Sequence, residues 1–370
     1  MARINELFEQ SGSRNFWADR TDKELLELNL TTTDPEALDG ISCDVPPEEG
    51  VYVELGYDVS GRTEGKVRCV HCKRYNHFHG VVVRDEAGSR YLVGRDCALS
   101  KYGVVYEALL IAYDEAVDRQ GALRRQKQFF QLRREIFALM EEMRADPAIK
   151  AFDTVRANLA GAIETVKWNE LSRLVRSGDG ILRSIRSVRD YDAEQRRVEE
   201  QPEPLRTRLK KAKGLGGMMP IFKEIDELGC RLGGDSLFTA GDTVARSMHN
   251  IAVDMNAAVN VLAETRTTTR GINLAFVALQ GVLNRIEEQL ERLRSAAEFF
   301  TVENVRNVAL WCQSREGSRV ARFEAIERTL VVYDGRSRHE ASLPEHYRVP
   351  GRRLVEVLRE AVALNPKRVS

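Results

Sequence analysis

From Leu109 to Met143 the apolar residues Leu109, Tyr113, Ala116, Leu123, Phe130, Ile136, Leu139 and Met143 keep a three-to-four register with no proline between them. Only an amphipathic α-helix of about ten turns puts such positions on one face, and that face has to be buried against another helix. The helical reading extends from about Tyr102 to Cys312. Asp146-Pro147 reads as a cap followed by proline at the first helical position, opening a helix that runs past Trp168. Ser177-Gly178-Asp179-Gly180 closes that helix and starts another, and Pro202 and Pro204 break the chain again. Gly214-Leu215-Gly216-Gly217 ends a strongly basic helix, and Gly233-Gly234-Asp235 marks the next turn. Gly241-Asp242 opens a helix reaching Glu264, with His249 read as core beside Met248 and Met255. Ile272 to Phe300 forms another, with Leu274, Val277, Leu279, Val282, Leu283, Ile286 and Leu290 as its apolar positions. The expected architecture is mainly α: an elongated helical bundle with coiled-coil-like faces, anchored by Phe129-Phe130, Phe137 and Phe299-Phe300. Such faces suit a protein partner or a second copy of the chain.

The period changes at both ends. Gly50–Val59 reads as a strand after the Val45-Pro46-Pro47 turn, and Asp22–Leu28 as a short helix. Beyond Arg315, Val320–Ile326, Thr329–Tyr333 and Arg338–Leu343 read as strands, with a turn at Asp334-Gly335, and Gly351–Leu364 as a final helix. The chain thus divides into an acidic segment (1–60), a small β-rich zinc module (61–101), the helical bundle (102–314) and a small C-terminal α/β element (315–370). Charge draws the first boundary. Residues 1–60 hold 14 acidic and 4 basic side chains, whereas residues 61–101 hold 9 basic and 4 acidic. The acidic segment is therefore a candidate cover for the basic module, one whose release would expose it.

The chemistry lies in that module. Cys69-Val70-His71-Cys72 sets two thiols on one tight turn, and Cys97 follows at the expected start of the long helix. Thiolates and imidazoles in tetrahedral array are the preferred ligands of zinc. His77-Phe78-His79-Gly80-Val81-Val82-Val83 reads as one strand, so alternation puts His77 and His79 on the same face; His77, nearer the knuckle, is the chosen fourth ligand and His79 the alternative. Ala87-Gly88 turns the hairpin, Arg90–Val93 returns, and Asp96 is placed to cap the helix. His71 points outward, Cys43 is a remote further donor, and Ser100, one turn after Cys97, is a poor ligand. The expectation is one structural Zn2+ per chain on Cys69, Cys72, Cys97 and His77 or His79. Six cysteines in 370 residues, three of them clustered this way, fit a metal site better than a disulfide scaffold.

The run Cys69…Cys72…Val81-Val82-Val83-Arg84…Val93-Gly94-Arg95-Asp96-Cys97 resembles a treble-clef or zinc-ribbon module of bacterial and phage proteins over about 30 residues. The resemblance implies a structural zinc, beside nucleic acid, and assigns no reaction.

Two basic series lie outside the module. Arg173, Arg176, Arg183, Arg186 and Arg189 recur largely at three-residue steps of a helix, and Arg206, Arg208, Lys210, Lys211 and Lys213 crowd together without an acid. Either can neutralise phosphates, or be a solvated face paired with nearby acids. Tyr75, Phe78 and Tyr91 can stack on bases or fill the module's core. Equal numbers of basic and acidic residues, 56 of each, exclude a uniformly basic coat. No P-loop, HExxH motif or nucleophile elbow is found, so the expectation is a non-enzyme. The start MARINELFEQ carries no apolar core and no segment approaches about 18 apolar residues, so a cytoplasmic protein with no membrane span is expected. The leading functional expectation is a zinc protein that binds nucleic acid through basic surfaces. The alternative is a zinc-stapled helical interaction scaffold.

Overall fold

The computed structural model describes residues 15–61, 65–163, 165–176, 181–182, 184–211, 219–227, 232–238, 241–264, 267–314, 321–335 and 337–363, with Phe8. In order the elements are α1 (Asp22–Glu27), β1 (Thr31–Thr32), β2 (Val51–Asp58), β3 (Val67–Arg68), β4 (Tyr75–His77), β5 (His79–Asp85), β6 (Arg90–Gly94), α2 (Arg95–Ala145), α3 (Pro147–Ala162), α4 (Thr165–Arg176), β7 (Ser184–Arg189), α5 (Tyr191–Glu199), α6 (Glu203–Lys211), β8 (Phe222–Glu227), α7 (Val244–Ala263), α8 (Thr269–Phe299), α9 (Val302–Ser314), β9 (Ala321–Ile326), β10 (Thr329–Asp334), β11 (Ser337–Ala341) and α10 (Arg352–Ala363). The fold is mainly α. The chain forms two compact units, one from Met1–Ile136, Met255–Gly281 and Glu356–Ser370, the other from Phe137–Asp254 and Val282–Val355.

The first unit is built on a sheet of order β1-β2-β5-β6. Strand β2 alternates buried and half-buried residues, whereas β5 carries the continuous buried run Gly80–Val83. A strand buried on both faces needs no polar alternation, and two clusters cover the sheet. Val51, Val53, Val81, Val83 and Val93 pack with Trp17, Tyr106, Leu109 and Tyr113, the last three from α2. Leu55, Tyr57, Val59, Val82 and Leu92 pack on the other side. Val53 and Leu55 share parity yet face opposite ways, because a β-bulge shifts the register from Val53↔Val83 to Leu55↔Val82. The acidic segment is woven into this unit. Glu54 accepts hydrogen bonds from Arg84 (2.9 Å) and Arg90 (2.7 Å), and the Tyr113 hydroxyl donates to the Leu30 carbonyl (2.6 Å). Since β2 lies between β1 and β5, the expected detachable cover is corrected: the segment supplies an inner strand. Helix α2 bends at Gly103, whose φ of 53° combined with a ψ of −128° only glycine adopts without strain.

In the second unit Asp146 caps α3, its carboxylate accepting from the Ala148 N–H (2.8 Å) with Pro147 following. This helix ends at Ala162, and Trp168 belongs to the separate α4. Trp168, Phe238, Phe299 and Phe300 make a chain of ring contacts. The meander β11-β10-β9 completes the unit, with β9 bonded to α9 through Phe323 N–H and the Gln313 side chain (3.1 Å).

The almost wholly helical reading of the middle is corrected here. Ser184–Arg189 is a strand paired antiparallel with Phe222–Glu227 over six residue pairs. The pairing satisfies the backbone groups that face each other, so where the sequence reads a further helix the chain carries a strand. Gly214–Gly217 lies outside the described residues, as do Ser177–Gly180. On α8 the buried stripe is Ile272, Ala275, Phe276, Leu279, Leu283, Ile286 and Leu290, while Leu274 and Val277 are exposed. His249 is exposed beside Arg144 (3.3 Å), whereas Met248 and Met255 are buried: one residue's turn, about 100°, separates His249 from the core stripe.

Candidate metal centre

Four side chains converge in the first unit. The Cys69–Arg74 stretch folds into a knuckle, with Lys73 N–H donating to the Cys69 carbonyl (2.9 Å) and Cys69 N–H to the Arg74 carbonyl (3.1 Å). Lys73 takes the left-handed φ of 59° that closes it. Val70, buried, donates its N–H to the Leu92 carbonyl (3.0 Å), tying the knuckle to β6. The ribbon β3–β4, with Val67 opposite His77, then brings the imidazole back to the two cysteines. Strand β6 runs straight into α2, whose first turn carries Cys97. A helix N-terminus favours thiolate over thiol. Asp96 lies within this turn rather than capping it, because the helix starts at Arg95.

The Sγ atoms of Cys69, Cys72 and Cys97 and a ring nitrogen of His77 all lie within 4.8 Å of one another. Cys72 Sγ is 4.0 Å from His77 Nε2. Metal–sulfur bonds of about 2.3 Å and metal–nitrogen bonds of about 2.0 Å in tetrahedral array need donors about 3.5–3.8 Å apart, so slight contraction closes the set. Cys69 is buried and the other three are half-buried. Burial first, then the neighbouring Cys72 and Cys69 sulfurs, pushes the Cys97 thiol up to about 12. Burial also opposes a Cys72 thiolate, but hydrogen bonds from the Arg74 N–H and the other two thiols hold it below the ordinary range. Three thiols packed together have no way to ionise jointly without a cation among them, which is what a metal supplies. Burial lowers the His77 pKa, against the pull of Asp96, and a neutral imidazole is the form that ligates. This Cys3His group can hold a metal ion, and with four protein donors it leaves no open coordination position for a reacting water.

Gly94 makes room for the imidazole. A Cβ there would fall 2.1 Å from His77 Cε1 and 2.2 Å from Nδ1. Its role is invisible to motif reading, where it passes as part of the strand end.

The other expected donors are elsewhere. The expected single strand from His77 to Val83 breaks at Phe78, so the two histidines do not share a face: His77 joins the ribbon and His79 joins β5. His79, exposed, pairs through Nδ1 with Asp58 (3.2 Å). His71 is half-exposed and outside the group, Ser100 is exposed, and Cys43 is exposed with its carbonyl accepting from Lys73 Nζ (2.6 Å).

The helical basic stripe is corrected. Arg173 is exposed on α4 and Arg176 ends that helix, but Arg186 and Arg189 sit on β7. Helical three-residue spacing therefore does not align them. Arg189 is held by Glu194 (2.8 Å). Arg206 donates to the Gln201 carbonyl (3.3 Å) and pairs with Glu203 (3.4 Å), and Arg208 is exposed. Lys210 and Lys211 close α6, while Arg183 and Lys213 lie outside the described residues. Of the module's aromatics, Tyr91 is buried and donates to Asp85 (2.8 Å), whereas Phe78 is exposed. No helix among the described residues is long and apolar enough to cross a membrane. No protein-family model, curated protein or solved structure matches the chain.

Proposed function

We propose that Cys69, Cys72, His77 and Cys97 bind one structural zinc ion, and that the stapled module, of treble-clef or zinc-ribbon type, gives a non-enzymatic protein a nucleic-acid-binding surface. The observation that carries the reading is the closed Cys3His set. Sulfur-rich tetrahedral donors suit zinc, and closure by four protein ligands suits a staple rather than a catalyst. Nucleic acid enters through charge. No acidic residue interrupts Gly65–Arg84, and Lys66, Arg68, Lys73 and Arg74 are all exposed. Metal analysis of the purified chain tests the first half: about one zinc per chain is expected, and less than about half an equivalent overturns it. Gel-shift titration of the full chain with single- and double-stranded DNA and RNA at two salt concentrations tests the second, because phosphate contacts weaken steeply with salt.

One observation favours the scaffold reading, in which the chain binds protein instead. Leu274 and Val277 lie three residues apart on α8 and are 58% and 69% exposed. Light scattering tests it: a self-associating chain that Leu274→Glu with Val277→Glu renders monomeric would support that use of the helix.

A further inference from the structure

We propose that the β3–β4 ribbon and its knuckle bind single-stranded nucleic acid, with Phe78 stacking on an unpaired base and Lys66, Arg68, Lys73 and Arg74 holding the phosphates. This deepens the nucleic-acid reading above and rests on it. It narrows the contact to the ribbon and knuckle of the metal module and to unpaired strands.

Six of the module's basic residues fall into two groups. Arg84 and Arg90 are bound by the Glu54 carboxylate. Among the described residues Lys66, Lys73 and Arg74 make no ion pair with a carboxylate, and Arg68 Nε and Lys73 Nζ donate to backbone carbonyls, of Lys73 (3.3 Å) and Cys43 (2.6 Å). Three thiolates around a dication would leave a charge of about −1, so Lys66, Lys73 and Arg74 keep the ribbon positive. Within this surface Phe78 is 41% exposed, while Tyr57 and Tyr91 of the same unit are buried. Its backbone is fixed, the carbonyl accepting from Val59 N–H (2.8 Å), and Lys66 Nζ lies 4.9 Å from the ring centroid. A single exposed aromatic is ordinary. A fixed one with an ammonium against its ring, on a ribbon without acids, is the arrangement that takes a base and its phosphate together. Bases inside a duplex are already stacked on both faces, so the ring can add a base only from an unpaired strand.

The experiment is fluorescence anisotropy of the full-length, zinc-loaded chain with labelled pyrimidine-rich single-stranded RNA, the same sequence as DNA, and a duplex, at about 50 and 200 mM salt. Both single strands should bind more tightly than the duplex. Phe78→Ala should weaken single-strand binding roughly five- to 150-fold with the salt dependence unchanged, and Phe78→Trp should restore it. Lys66→Gln with Lys73→Gln should lower the salt slope by about 1.4, at about 0.7 per phosphate contact. The lysine pair decides the matter if Phe78→Ala loses zinc. Unchanged single-strand binding in both variants, with loss in Arg206→Glu plus Arg208→Glu, would overturn this site while the nucleic-acid reading stands. If the unaltered chain binds no strand at the lower salt, both fall.

Discussion

Gly94→Ala tests the metal centre at its tightest contact. The added methyl would lie 2.1 Å from His77 Cε1, 2.2 Å from Nδ1 and 2.5 Å from Nε2. Relief to an ordinary carbon–carbon contact of about 3.5 Å requires a movement of more than an ångström. The backbone of Gly94 has little freedom to supply it, since β6 is paired with β5 at Gly80↔Gly94. The imidazole must therefore move. With the proposed zinc on this ring, a zinc–nitrogen bond would tolerate about 0.2 Å of displacement, so the ring would lose the ion before the clash is relieved. Support residues around a metal typically carry 10–100-fold in affinity, and expelling a ligand outright should exceed that, a weakening of at least about 2 kcal/mol. Chelator competition measures the zinc affinity. Cobalt substitution gives an independent readout, because its visible absorption reports how many sulfur and nitrogen donors surround the ion. The expected result is weaker binding with a changed cobalt spectrum and unaltered helical circular dichroism. Wild-type affinity with an unchanged spectrum would refute the placement of His77 against Gly94, and with it the ligand set.

Other perturbations test the frame around the site. Burial alone would raise the pKa of Glu54, but hydrogen bonds and charge from Arg90 and Arg84 hold it below the usual carboxylate range. Its contribution is therefore present at neutral pH and is lost as pH falls through that depressed value. Glu54→Gln should destabilise the chain at pH 7 by about 1–3 kcal/mol and flatten the acid limb of its stability curve, checked by urea unfolding across pH. Asp153 accepts from the N–H groups of Val244 (2.8 Å) and Ala245 (3.0 Å) at the start of α7, so Asp153→Ala should cost about 1 kcal/mol in the same assay. Gly281 lies inside α8 with open space where a Cβ would stand, and Gly281→Ala should stabilise by about 0.8–1 kcal/mol, read as a higher Tm.

The long helices were legible because their apolar stripes are long, and Asp146-Pro147 marks a boundary by its own chemistry. What failed did so for local reasons. In Ser184–Arg189 the β-branched Ile185 and Val188 stand three apart, a helical interval, and the pairing partner comes only at Phe222–Glu227. Long-range pairing of this kind leaves no mark on either segment alone. Leu274 and Val277 keep a helical step from each other but lie off the stripe through Ile272, Phe276, Leu279 and Leu283, and a step cannot say which stripe is covered. At the metal centre the cysteines were legible by type and spacing. His77 was legible too, as the histidine nearer the knuckle, but what removes His79 was not: a break at Phe78 inside a run of good strand residues.

Strand β6 explains why the outermost donors, Cys69 and Cys97, stand 28 residues apart and still meet. Its Leu92 carbonyl pins the knuckle through Val70, its Gly94 admits the imidazole, and its last residue leads into the helical turn that presents Cys97. Between Gly94 and Cys97 there is less than one helical turn, so the third sulfur has almost no freedom relative to the histidine's seat. The strand is itself held by β5, which pairs in turn with β2 from the acidic segment, and Arg90 at its start is anchored to Glu54. The geometry of the donors is thus set by a sheet whose inner strand lies far outside the cysteine motif. A metal on these donors would join knuckle, ribbon and helix start directly, while the sheet joins them through hydrogen bonds. The acidic segment, which by charge alone looks like a removable cover, belongs to the structure that positions the site.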